Sequence, residues 1–207
     1  MTSTIYYFHD PMCSWCYAFR PAWKEIKKGL PTNLPVQSIL GGLAPDNTVP
    51  MPEDMKTRIQ GYWRRIEEVV PGTIFNYEFW TKCTPVRSTY PACRAIIAAE
   101  KQSSDYAELM DEAIQDAYYR QARNPSLSDT HIELALELGM NTEKFKEDLA
   151  SAETHEELQR QIQLTSTMGV SGFPSLVLQT EQGRFPIQRH QTSAEPVLQQ
   201  IESILNT

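Results

Sequence analysis

The chain has 207 residues, 41% hydrophobic and 22% charged, the proportions of a globular chain long enough to bury a sizeable core. A formal net charge of -7 argues against a nucleic-acid or anionic-membrane surface, either of which calls for a basic stripe. No apolar run approaches the roughly 20 residues of a membrane span, and the opening MTSTIYYFHDP has no basic, apolar or cleavage region of a leader, so the expected location is cytoplasmic.

Thr4 to His9 is aromatic and β-branched and predicts a strand, ended by Asp10-Pro11. Cys13 and Cys16 follow. Cys16, Phe19, Trp23, Ile26 and Leu30 then recur at three and four residues, the face of a helix that Pro21 is expected to kink. Val36 to Gly42 reads as a second strand. The opening is therefore strand, C-x-x-C turn, helix, strand, with the cysteines at the helix N-terminus.

Residues 44–168 read as helical, entered through the proline-rich stretch from Pro45 to Pro52. Tyr106, Leu109, Met110, Ala113, Ile114, Ala117 and Tyr118 mark one amphipathic face. Ser128 is expected to cap a helix that stops at Gly139, and Asn141 to cap the next. Thr154 and Glu157 have the spacing of a capping box, with Gly169 as the stop. Ser175 to Thr180 then predicts a buried strand, and Arg184 to His190 its hairpin partner, which Pro186 pushes to the sheet edge. Ser193 opens a last helix with Val197, Leu198, Ile201 and Leu205 facing inward. The fold class is α/β: β-α-β, a helical insertion, then β-β-α.

Two cysteines separated by two residues can hold a metal, form a staple or exchange electrons. A structural zinc site wants four ligands, and neither the other two cysteines, Cys83 and Cys93, nor the four histidines supply a second pair, so no metal is expected. A structural disulfide is out of place in a reducing compartment. The redox reading has a mechanism. A thiol of ordinary pKa, about 8.5, is only a few per cent ionised at neutral pH. At a helix N-terminus, Cys13 meets free N–H groups and the positive dipole end, which favour its thiolate. Cys16, one turn on and facing inward, is placed to resolve a mixed disulfide. Cys13 is therefore expected to be the more exposed and more acidic of the two.

With CSWC after a strand, Pro21 five residues beyond Cys16, and GVSGFPSL from Gly169 to Leu176, the chain resembles the thioredoxin superfamily in its DsbA-like branch. DPMCSWC and STYPACRAIIAAE look closest to the group holding FrnE-type oxidoreductases and relatives of 2-hydroxychromene-2-carboxylate isomerase. The resemblance implies a thioredoxin-like domain from residues 1–43 and 169–207, and an inserted helical subdomain over 44–168. It implies thiol–disulfide oxidoreduction with Cys13 and Cys16 catalytic, and no cofactor beyond them. The implied partners are protein or peptide thiols and disulfides, with glutathione a further candidate. Pro174 matches the family's cis-proline, so the Phe173–Pro174 bond is expected to be cis and to lie beside the cysteines. Related branches that act as glutathione-dependent isomerases or kappa-class transferases replace the cysteine pair, which is intact here. A thioredoxin-like module that binds a partner without turnover is the other alternative.

Trp15, inside the turn, is expected to be exposed and, with Phe173 and Pro174, to bind substrate, whereas Phe8 is expected in the core. His9 reads as a strand-end histidine satisfied by its neighbours, and Arg87 and Arg94 either as a solvated surface pair or as cations that meet a glutathione carboxylate. Cys83 and Cys93 are expected to be free thiols, with a second redox pair the alternative that FrnE-type proteins raise.

Overall fold

The computed structural model describes residues 3–206. Strand β1 (Thr4–His9) passes through residues 10–13 into helix α1 (Ser14–Gly29) and returns as β2 (Val36–Leu40). β2 runs parallel to β1, with Ile5 opposite Val36 and His9 opposite Leu40. A parallel return needs a crossover, and α1 supplies it. Seven helices follow: α2 (Glu53–Val69), α3 (Phe79–Lys82), α4 (Tyr90–Glu100), α5 (Ser104–Tyr119), α6 (Ser128–Glu137), α7 (Thr142–Ala150) and α8 (Ala152–Thr167). The chain then re-enters the sheet as β3 (Ser175–Gln179) and β4 (Arg184–Ile187) and ends in α9 (Glu195–Leu205). The sheet order is β2-β1-β3-β4, with β3 antiparallel to both its neighbours.

Strand alternation divides the core into two faces. Ile5, Tyr7, Leu176 and Leu178 point to one side, where α1 and α9 supply Phe19, Trp23, Ile26, Val197 and Ile201. Phe8 and Val177 point to the other with Ile39, against Leu164 and Met168 at the end of α8. Phe8 is thus in the core, as its sequence context implied. The helices between β2 and β3 gather around α4, whose Ala92, Ala95, Ala98 and Ala99 are buried and let its neighbours approach closely. A third cluster is aromatic. Trp63 of α2 stacks on Phe75 at 4.8 Å, and Tyr17 of α1 stacks on Tyr119 of α5 at 4.6 Å. That last contact fastens the first turn of α1 to the helical block, because Tyr17 directly follows Cys16.

Several helix boundaries differ from the sequence reading. Ser128 is the first residue of α6 and Leu127 its N-cap, so no side chain caps that helix. α8 is capped by Ser151, whose oxygen accepts from Thr154 N at 3.2 Å, in place of a Thr154–Glu157 box. Ala194 rather than Ser193 precedes α9, and Leu30 lies just past the end of α1. α1 runs unbroken through Pro21. Leu109, placed on the inward face of α5, is 44% exposed. β2 stops at Leu40 because Gly42 turns the chain at φ +60, and β4 stops at Ile187, three residues short of His190. Asn141 does cap α7 through Lys144 N at 3.0 Å, and Gly139 and Gly169 adopt the left-handed conformation that ends a helix.

Candidate active site

Asp10 is fully buried at the end of β1, and four donors converge on its carboxylate. Met12 N reaches Oδ1 at 2.8 Å; Leu43 N and Thr89 Oγ1 each reach Oδ2 at 2.7 Å; the Cys93 thiol donates to Oδ2 at 3.7 Å. The Asp10 carbonyl accepts from Cys13 N at 3.0 Å. One residue therefore ties the C-x-x-C turn to the loop after β2 and to the start of α4. The sequence marked Asp10 only as a strand terminator. Its local bond to the N–H two residues on is an Asx turn, a signal present in the sequence.

So held, Cys13 occupies the N-cap of α1 in extended conformation, and Cys16 lies on the buried face of the first turn. Cys13 is 8% exposed and Cys16 completely buried, so the expected order of exposure holds. A hydrogen bond from the Cys16 thiol lowers the Cys13 pKa, helped by the backbone N–H groups of Cys16 and Trp15 and opposed by burial and the Asp10 charge. Burial is the main influence that raises Cys16 well above an ordinary thiol, followed by the hydrogen bond and charge of Cys13. The two thiols therefore differ in acidity, Cys13 losing its proton the more readily and Cys16 holding its own.

The Phe173–Pro174 bond is cis. The Cys13 thiol lies 3.6 Å from the Phe173 carbonyl, to which it donates, so the segment before β3 sits against the cysteine turn. The Phe173 ring turns away into the core face made by Phe8, Ile39 and Val177 and covers Gly41. A Cβ added at Gly41 would stand 1.9 Å from Phe173 Cζ. Gly41→Ala must therefore displace the ring, at about 1–3 kcal/mol as for other overpacked cores. We expect a melting temperature lower by several degrees, on a scale of about 2–4 °C per kcal/mol, together with altered Cys13 alkylation. An unchanged melt and an unchanged alkylation rate would show that Phe173 does not hold the loop.

Trp15 departs from expectation. It is half-buried and packs on the aromatic cluster of Trp63 and Tyr119, so only part of it is left at the surface. Arg94 is not loosely solvated either, because it grips Asp46 with two bonds of 2.9 and 2.7 Å. His9 is buried and its pKa is lowered to about 4 by that burial, but its Nδ1 lacks a hydrogen bond, contrary to the satisfied histidine expected. Cys83 and Cys93 are free thiols with separate partners, the Ala122 carbonyl at 3.1 Å and the Asp10 carboxylate.

The family model described as thioredoxin matches residues 6–185, a span that includes the cysteine turn, all of the inserted helices and Pro174. The chain belongs to the thioredoxin family. Its fold is that of the DsbA-like branch. Over its whole length it superposes with a TM-score of 0.86 on the crystal structure of a candidate protein disulfide isomerase from Nitrosomonas europaea, 25% identical, covering 98% of that chain. The cytosolic disulfide reductase DsbM from Pseudomonas aeruginosa, 24% identical, gives 0.80 over 98% of both chains. By sequence the chain is similar to the ClpXP adapter protein SpxH of Halalkalibacterium halodurans, 25% identical over 84% of this chain and 57% of that protein. It thus spans little more than half the length of that curated relative. Among the described residues no helix is long and apolar enough to cross a membrane.

Proposed function

We propose that the chain is a thiol–disulfide oxidoreductase in which Cys13 is the nucleophile, Cys16 the resolving thiol, and Trp15, Phe173 and Pro174 border the substrate groove. The observation that carries this reading is the opposed character of two adjacent thiols, one lowered and one raised in pKa, against the Phe173 carbonyl. In the reducing direction the Cys13 thiolate attacks one sulfur of a substrate disulfide. The substrate S–S bond breaks, a Cys13–substrate disulfide forms, and the other substrate sulfur leaves as thiolate. Cys16 then loses its proton and attacks Cys13 Sγ, releasing the second substrate thiol and leaving a Cys13–Cys16 disulfide. Two electrons pass from the dithiol to the substrate, and the reverse sequence oxidises a dithiol.

Residues 1–43 and 169–207 form the thioredoxin-like domain in this reading, and 44–168 the inserted subdomain. The partners are protein or peptide thiols and disulfides in the cytoplasm. Glutathione is a candidate because the DsbM fold relative is also known with GSH. An isomerase or transferase reading is weaker here because both cysteines are present.

Serine at position 16 tests the mechanism, because it stops the chain of events after the first attack. Incubated with a peptide disulfide, Cys16→Ser should accumulate a mixed disulfide at Cys13, identified by mass spectrometry after digestion. Adducts confined to Cys83 or Cys93, or none at all, would remove Cys13 from the role. The relatives named as ClpXP adapters support a second reading, a module that binds a partner without turnover. That reading requires partner binding to survive Cys13→Ser.

A further inference from the structure

A cleft of about 400 Å³ opens between α1, the outer edge of β2 and α5, and neither Cys13, Cys16 nor Pro174 lines it. Its size falls in the range of about 300–1,000 Å³ usual for small-ligand sites. One wall is an unpaired strand edge. Bonds from Ile5 N to the Pro35 carbonyl and from Gly41 N to the His9 carbonyl fix the parity of the β1–β2 ladder. Odd-numbered residues of β2 pair with β1, so the N–H and C=O groups of Val36 and Ser38 point outward. The unpaired run stops at Leu40, whose N–H is capped by Gln161 Oε1 at 2.7 Å.

Polar acceptors gather at that same end. His9 is the register partner of Leu40, and its Nδ1 lies 3.4 Å from Asp111 Oδ2. Gln115 Nε2 donates to Asp111 Oδ1 at 3.1 Å, leaving Gln115 Oε1 and His9 Nδ1 buried without hydrogen-bond partners. The cations on the α1 wall pair with acids other than Asp111: Arg20 with Asp116, and Lys24 and Lys27 with Glu112 and Glu108, which line the same cleft. Burial, the largest influence on it, pushes Asp111 up to about 7, although the Gln115 hydrogen bond and the Arg20 charge act to lower it.

We propose that the cleft is a second binding site, taking the amino-terminal end of an extended peptide, with its main chain paired to Ser38 and its α-ammonium against Asp111. Strand addition supplies the main-chain partners that Ser38 lacks. At a rise of about 3.3 Å per residue, a peptide amide opposite Ser38 carries its preceding nitrogen alongside Leu40 and His9. Gln161 blocks further pairing there, so the peptide has to end. An ammonium offers three donors, and Asp111, Gln115 Oε1 and the Nε2–H tautomer of His9 offer three acceptors.

The probe is the cysteine-free tripeptide Val-Ala-Ala amide, titrated into the intact chain by calorimetry and by amide chemical shifts. Binding should perturb Val36, Ser38 and Asp111. N-acetylation of the peptide, and separately Asp111→Asn, should each weaken it by about tenfold or more. Ser38→Pro should abolish it while sparing the sheet, because that N–H makes no bond to β1. Should Ser38→Pro fail to fold, Asp111→Asn and the acetylated peptide still decide the matter. No binding at about 10 mM peptide, equal binding of the acetylated form, or shifts confined to Cys13 and Phe173 would overturn the proposal.

Discussion

Cys13→Ser should lower disulfide-exchange turnover by about three orders of magnitude or more, the scale on which enzymes lose rate when a nucleophile is removed. The hydroxyl that replaces the thiol is not ionised by a helix N-terminus at neutral pH, and it forms no disulfide. The fold should survive, because Cys13 Sγ makes only weak sulfur bonds, to the Phe173 carbonyl and from the Cys16 thiol, and serine is of similar size. A thermal melt within a few degrees of the parent separates lost chemistry from lost structure. The pH dependence follows from the same geometry. The Cys13 pKa lies below that of an ordinary thiol, so its alkylation rate should stay high as pH is lowered past the ordinary value and fall only near the depressed one. Cys16, raised by burial, should resist alkylation throughout that range. Rapid labelling of Cys16, or a Cys13 profile that titrates where a free thiol does, would reverse the assignment of roles.

The parts of this architecture that local chemistry dictates were readable in the chain. The aromatic and β-branched run from Thr4 to His9 gives β1, and the three-and-four spacing from Cys16 to Ile26 gives α1, because it lines one face of a helix. The cysteine pair was legible because strand, turn and helix agree around it. Helix caps were less so. Ser151 and Ser128 are the same residue type near a helix start, yet only Ser151 caps, and the choice depends on the backbone that packing imposes. Trp15 looked exposed because a turn precedes α1, but the aromatic cluster drawn from α2, α5 and the loop at Phe75 reaches over to cover it. Contacts of that kind join positions tens of residues apart, and no window along the sequence contains them. The cleft beside Asp111 is of the same sort, since β1, β2, α1 and α5 each contribute one wall.

Asp10 is the clearest case of such a long-range feature, and its removal should have the largest effect on stability. Asp10→Ala leaves Met12 N, Leu43 N and the Thr89 hydroxyl facing a void where the carboxylate accepted all three. An orphaned buried donor costs about 1–3 kcal/mol, and breaking a buried charged network typically costs about 3–5 kcal/mol. For a chain of this size that corresponds to a melting temperature lower by roughly 6–20 °C. Thr89→Ala alone should cost less, because it deletes one donor to Asp10 and the acceptor of Ala44 N, and leaves the two backbone N–H bonds to Asp10 in place. Combined with Asp10→Ala it should add less than it costs alone, since the Asp10 bond is already gone and only the Ala44 N–H is newly orphaned, and that shortfall in a double-mutant cycle measures the coupling. Asp10→Asn tests the electrostatic half. The Asp10 charge opposes ionisation of Cys13, so a folded Asp10→Asn protein should show a lower Cys13 pKa by thiolate absorbance. A stable dithiol with a more acidic Cys13 is also a stronger oxidant, because the reduced form is favoured. An Asp10→Ala melt within about 2 °C of the parent, a shift worth no more than about 1 kcal/mol, would mean that the turn holds its shape without the clamp.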